Sequence, residues 1–381
     1  MKFFMKIRYF DNAATTPVRE EVVKEMLPFF GVEYGNASVM YSLGRNAKKA
    51  MKRARERLAR AINADINEIY FTSCGSESDN LAIKGFAYEN KSKGNHIITS
   101  KIEHHAVLDS CKTLEKQGFK VTYLNVDDKG KINLEELVNS ITNQTILISI
   151  MFANNEIGTI EPIEEIAKIA KEKNIVFHTD AVQAIGNVKI DVKQMNIDML
   201  SLSGHKFYAP KGVGALYVKN GINFKKLQDG GEQEYNKRAG TENVAEIVGL
   251  GKAIELIYND YDEYNRKLIT LRNNYIDRVK NEISNCKVNG DLINRLPGNA
   301  NVSFKNVNGS ELLFELDKYG ICASAGSACS TSNPAPSHVL TAIGLDKNYI
   351  GGTLRVSFGR DNTMEDVDFL VNRLKEFVNK K

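Results

Sequence analysis

The chain has 381 residues, is 42% hydrophobic and carries 51 basic against 47 acidic residues, a net charge of +4. This is ample material for a large core, more naturally in two domains than one, and no basic block points to a nucleic acid. Five cysteines without a short CxxC argue against a disulfide framework or a structural zinc site.

Apolar residues return every three or four positions in EEVVKEMLPFF and NAKKAMKRARERLARAI, which predicts helices. EIYFTS reads as a short strand, and CGSESDNLAIKGFAYEN as a helix that begins at a Gly-Ser turn. HIITS, KVTYLNV, TILISIMFA and IVFHTD are compact runs of strand length. Between the last two lies EPIEEIAKIAKEK, a crossover helix opened by Pro162. The alternation predicts a mostly parallel sheet with helices on both faces. A long helical region, expected to bend, runs from EIVGLGKAIEL to DRVKNEI. A second unit follows, with NVSFKNV, ELLFELDKYG, a Gly/Ser/Pro-rich stretch, TLRVSFG and a terminal helix in MEDVDFLVNRLKEFVNKK. No stretch has the length of a membrane span, and MKFFMKIRYFDN lacks the features of a signal peptide, so a cytoplasmic location is expected.

Ligands of open α/β sheets sit beyond the carboxyl ends of the strands. Here polar residues stand one step past five apolar runs. Gly75 and Ser76 follow EIYFTS, and Glu103, His104 and His105 follow HIITS. Asn154 and Asn155 follow ILISIMFA, Asp180 ends IVFHTD, and Ser203, His205 and Lys206 follow DMLSLS. Pyridoxal 5'-phosphate fits this set. Lys206 is suited to bond its aldehyde, and Asp180 to pair with its ring nitrogen. The helix start at Gly75 and Ser76, with Ser203 and His205 beside the lysine, suits its phosphate. His104 is suited to lie over the ring, with Asn155 and Gln183 near the phenolic oxygen. A zinc hydrolase using His104, His105, His178, Asp180 and His205 is the competing reading. It leaves Lys206 and the Gly-Ser helix start unexplained. Cys74, Cys111 and Cys322 lie in or beside apolar elements and read as packing residues. Cys329 sits instead among small, turn-forming residues in SAGSACSTSNPAPSHVL, where a thiol can reach a substrate sulfur. Arg355 in TLRVSFGR could hold a substrate carboxylate.

FDNAATTP (10–17), YGNAS (34–38), FTSCGSESDN (71–80), EHHAV (103–107) and NNEIG (154–158) form the first half of an ordered series. HTDAVQAIG (178–186), SGHKFYAPKGVGALYV (203–218), RAGTEN (238–243), GSACS (326–330) and LRVSFGR (354–360) complete it. In this series the chain resembles the cysteine desulfurases of the class V aminotransferase group, nearly end to end. The resemblance implies a type I pyridoxal-phosphate-dependent transferase fold, with a mostly parallel-sheet large domain over 15–260. A smaller α+β domain would comprise 1–14 and 261–381. It also implies a homodimer with Thr241 touching the phosphate of the neighbouring subunit's cofactor. Asn155 and Arg355 would bind the carboxylate of L-cysteine, and His104 would move protons. Cys329 would be the persulfide-forming nucleophile. Its loop resembles the longer type, which passes sulfur to iron–sulfur scaffolds and tRNA-thiolation enzymes. A selenocysteine lyase, another transaminase or decarboxylase of this fold, and a catalytically weakened sulfur-assembly scaffold are the alternatives.

The chain departs from the usual pattern at Cys74, Glu232 and Asn236, where glycine is common. A carboxylate at 232 near the phosphate would oppose it by like charge.

Overall fold

The computed structural model describes residues 6–325 and 336–379. Among these residues one sheet of seven strands dominates, in the order Ile69–Thr72, Gly214–Val218, Met199–Ser203, Val176–Asp180, Thr145–Ser149, His96–Ser100, Lys120–Leu124. All the neighbouring pairs are parallel except those made by Gly214–Val218, which runs against both neighbours. Strand Ile69–Thr72 therefore points the same way as Met199–Ser203, and its carboxyl end reaches the same edge. Four of the strands are buried at every position. Their burial on both faces follows from the helices that cover the sheet on each side.

Helix Ser42–Ala61 shows how closely those helices pack. Its buried stripe of Ala47, Ala50, Met51, Ala54 and Leu58 recurs at helical spacing. It crosses helix Val244–Asn259, where a Cβ on Gly251 would lie 2.5 Å from the Cα of Ala54. Only glycine lets the two backbones come that near. The long helical region breaks at Asp260, and Tyr261–Glu282 begins a new helix there. That helix and Met364–Val378 cover an antiparallel sheet of Cys286–Asn289, Asn299–Phe304 and Thr353–Ser357. Phe10, Leu268, Tyr275, Val302, Leu354 and Leu370 belong to this second core. Arg8–Tyr9 pairs in parallel with Ile321–Cys322, which brings the start of the chain to the second unit.

Buried ionisable groups shape the large unit. Arg55 grips both carboxylate oxygens of Glu234, at 2.8 and 2.6 Å, and the Phe71 amide donates to the same carboxylate at 2.7 Å. This clamp fixes Glu234, Tyr235 and Asn236, which have φ values of 46°, 56° and 61°. Consecutive left-handed residues without glycine are costly and need such anchorage. Glu161 precedes the crossover helix and is fully enclosed, with one oxygen accepting from the Ile132 amide and the other unpartnered. Burial, followed by the nearby Asp127, pushes its carboxyl up to about 8.

A folded-state pKa above the unfolded value means stability present at low pH and lost as pH rises through the folded pKa. Glu161→Gln removes that loss. Relative to the natural chain, its unfolding free energy should climb between pH 5 and pH 8, by roughly 1 kcal/mol per pH unit. Urea denaturation at both pH values measures this, and a pH-independent difference would show that Glu161 is ionised in the fold.

Candidate active site

The carboxyl ends of the strands open onto a cavity of about 260 Å³. Gly75, Ser76, His104, Asn155, Asp180, Gln183, Ser203, His205, Lys206 and Arg355 all line it. Residues separated by 280 positions thus meet because one sheet edge gathers the first nine and strand Thr353–Ser357 of the second unit supplies Arg355. Thr241 is exposed and does not line the cavity, and Cys329 lies outside the described residues.

Lys206 sits on a short 3-10 turn after Met199–Ser203. Its ammonium donates to the carbonyls of Ala13 and Ala14, at 2.8 and 2.7 Å. The Gln183 amide also donates to Ala13, at 2.9 Å. Asp180 ends its strand as a buried carboxyl whose Oδ1 accepts from the Val182 amide at 2.9 Å. Burial pushes it upward, while His104 and Lys206 pull the other way. His205 bonds Thr15 at 3.1 Å, and burial followed by the nearby Lys206 lowers it to about 4. It is therefore a neutral hydrogen-bonding group at pH 7.

His104 caps helix His105–Glu115, its Nδ1 accepting from the Ala106 amide at 3.1 Å. Burial lowers its pKa, opposed by Asp180 and reinforced by Lys206, His105 and His338. Arg355 is 1% exposed, with Nη2 on Asp11 at 2.8 Å and Nη1 on the Asn155 carbonyl at 3.0 Å. Its Nε has no partner. A guanidinium held on one side with a donor left over is suited to a carboxylate.

The helix that starts at Gly75 runs through a π-helical stretch to Glu89. A Cβ on Gly75 would stand 2.6 Å from Val182 Cγ2, so only glycine leaves this cradle intact. The first N–H groups of a helix have no intrahelical acceptor and favour an anion. Asp79 lies one turn further on, 1% exposed, with Oδ1 unpartnered and 3.7 Å from His178 Nε2. Burial and the neighbouring Asp180 raise it well above the usual carboxylate range. A lysine, a phosphate cradle and a buried acid on one cavity are the donor set that pyridoxal phosphate requires.

Some expectations change. Cys74, expected as packing, stands in the cavity wall, while Cys111 is buried as expected. Its position follows from extended backbone just before the helix, which turns the side chain to the cavity side. Glu232 is exposed and does not line this chain's own cavity. His178 is a core residue between Ser149 and Ser201, at 2.8 and 2.9 Å. The cavity residues not singled out from sequence include Ala13, Ala14, Asp79, Glu156 and His338. His338 was legible only as a histidine just past the cysteine loop.

The class-V aminotransferase family model matches residues 8–370. A cysteine desulfurase IscS of Clostridium botulinum is 56% identical over 98% of this chain and 94% of its own length. That of Methanosarcina thermophila is also 56% identical, over 98% and 93%. Among solved structures, a NifS-like protein superposes with a TM-score of 0.93 at 38% identity, over 99% of this chain and all of the other. SspA in complex with cysteine gives 0.83 at 41% identity, over 92% and 99%. The chain belongs to the class-V aminotransferase family, among its cysteine desulfurases.

Proposed function

We propose that the cavity holds pyridoxal 5'-phosphate and that the protein takes the sulfur from L-cysteine, leaving L-alanine and a persulfide on Cys329. The observation that carries this reading is the convergence of Lys206, Asp180, His104 and the Gly75 cradle on one cavity walled by Arg355. When bound, the cofactor supplies an electron sink joined to the α-carbon of the amino acid.

The chain's own residues do the rest. Gly75, Ser76, Ser203 and His205 would hold the phosphate through N–H and O–H groups, and Asp180 would hold the proton on the ring nitrogen. Gln183 and Asn155 would serve the phenolic oxygen, and His104 the ring. Arg355 and Asn155 bind the substrate carboxylate. Lys206, released from Ala13 and Ala14, accepts the α-proton as general base. The Cys329 thiolate then forms a bond to the substrate sulfur as the carbon–sulfur bond breaks. The electron pair stays with the β-carbon, which takes up a proton on the way to alanine.

The same reading makes the protein a cytoplasmic homodimer that hands sulfur to an acceptor protein such as an iron–sulfur scaffold or a tRNA-thiolation enzyme. Leu27, Phe30, Val32, Tyr34, Met40 and Tyr41 form a run of exposed apolar side chains, which supports a covered surface there. Thr241 would then serve the cavity of the second subunit. No helix among the described residues is long and apolar enough to cross a membrane.

With a reductant present, cofactor-loaded protein should release alanine and sulfide from L-cysteine in equal amounts. Cys329→Ala should retain the cofactor and lose persulfide transfer to an acceptor. Catalytic transfer by that variant would remove Cys329 from the reaction, and harmless loss of the thiol would favour another activity of this fold. Arg355→Lys replaces a planar fork with a point charge, and should raise KM for cysteine by about 10-fold or more. An unchanged KM in steady-state kinetics would place the carboxylate elsewhere.

A further inference from the structure

His104 lines the cavity, and a residue that moves protons in every turnover must be reset from solvent. Two more imidazoles stand next to it. The rings of His104 and His105 lie 6.4 Å apart, and those of His105 and His338 lie 4.9 Å apart at 52°. His105 is exposed, while His104 and His338 are half-buried. His338 enters from a distant part of the chain. Its helix is seated by Val339, Leu340 and Ile343 in an apolar cluster with Ile102, Met151 and Ile157. Ser337, just before it, donates to Glu156 at 2.6 Å.

Backbone groups fix which nitrogens can exchange protons. His338 Nε2 lies 2.9 Å from the Glu103 carbonyl. A carbonyl only accepts, so Nε2 carries the hydrogen and Nδ1 is the nitrogen that takes and gives a proton. His104 Nδ1 accepts from the Ala106 amide, so in the neutral ring its hydrogen is on Nε2. Imidazole is the side chain whose charge changes near neutral pH, and a water molecule readily bridges rings at these separations.

We propose that His105 and His338 form a proton-exchanging pair at the cavity rim that resets His104 from solvent. The inference rests on the proposed function for the need it meets, and on ring geometry for its parts. They act through His104 and are positioning residues for its proton. When the protonated His104 ring has given a proton away and is neutral, the pair delivers another and recovers its own from water or buffer. When His104 gains one, the proton leaves by the same route. Burial first, then Lys206, His105 and His338, disfavour the protonated form of His104, against the pull of Asp180, so the ring does not store a proton.

The test is the double variant His105→Gln/His338→Gln. Glutamine at 338 can keep a donor on the Glu103 carbonyl but cannot relay a proton. In holoenzyme with L-cysteine, kcat should fall by about 5- to 50-fold while KM stays within about twofold. Added imidazole buffer at constant pH should restore the rate of the variant and leave the natural enzyme unaffected. Independently of turnover, proton exchange at His104 in ¹⁵N-histidine-labelled protein, read by NMR, should slow by about 10-fold or more. Unchanged exchange, or a loss of rate that imidazole does not restore, would overturn the relay. Slowed exchange in a protein that makes no alanine from cysteine would sink the desulfurase reading and leave the relay standing.

Discussion

The cavity depends on a segment of eight residues, 9–16, which turns at residues 12–14 and is bonded to both units. On one side Asp11 pairs with Arg355 and accepts from the Ser324 hydroxyl at 2.8 Å, and Asn12 donates to the Ser357 carbonyl at 2.8 Å. On the other, Thr16 bonds the His205 carbonyl through both its amide and its hydroxyl, each at 2.9 Å. Between these anchors the carbonyls of Ala13 and Ala14 hold the Lys206 ammonium. The segment joins the two walls of the cavity and holds the lysine between them. Tyr9 braces it by donating to the carbonyls of Asp11 and Thr15 at 3.0 and 2.9 Å.

Electrostatics give the cavity floor its character. Asp79 and Asp180 line the cavity and Glu103 is buried outside that lining; burial raises the pKa of each, Glu103 to about 8. Glu103 uses one oxygen to accept from Ser100 and the Met151 amide and leaves the other unpartnered. Polar groups left incomplete in a low dielectric are costly for stability and valuable for a ligand that completes them. His178, pulled down to about 3 by burial, adds no positive charge to this floor at neutral pH. The cations bordering the cavity are Lys206 and Arg355, one suited to the reaction and one to the carboxylate.

Much of this was legible in the sequence because it rests on local pattern. Alternation of apolar runs and helices gave the sheet, and polar residues one step past each run gave Gly75, His104, Asn155, Asp180 and Lys206. Other features depend on tertiary placement that local pattern does not carry. GALYV has the composition of its neighbours, and its reversed direction follows from the connection 204–213, which returns it beside Met199–Ser203 with no crossover helix. Ala13 and Ala14 contribute only backbone carbonyls, which every residue has. Asp79 lies inside a helix and looks like a surface acid until that face is seen against His178 and Asp180. The Arg55–Glu234 clamp and the His105–His338 contact each join residues more than 170 positions apart. Thr241 marks another limit, since its proposed role requires a second chain.

The central claim is that this cavity moves a sulfur atom from cysteine to Cys329. The most direct test is to mix cofactor-loaded protein with L-cysteine, alkylate the thiols at once and read the Cys329 peptide by mass spectrometry. The expected result is a peptide heavier by one sulfur atom, lost on treatment with a reductant and absent when Lys206 is replaced by alanine. An unmodified Cys329 in protein that is forming alanine would contradict it.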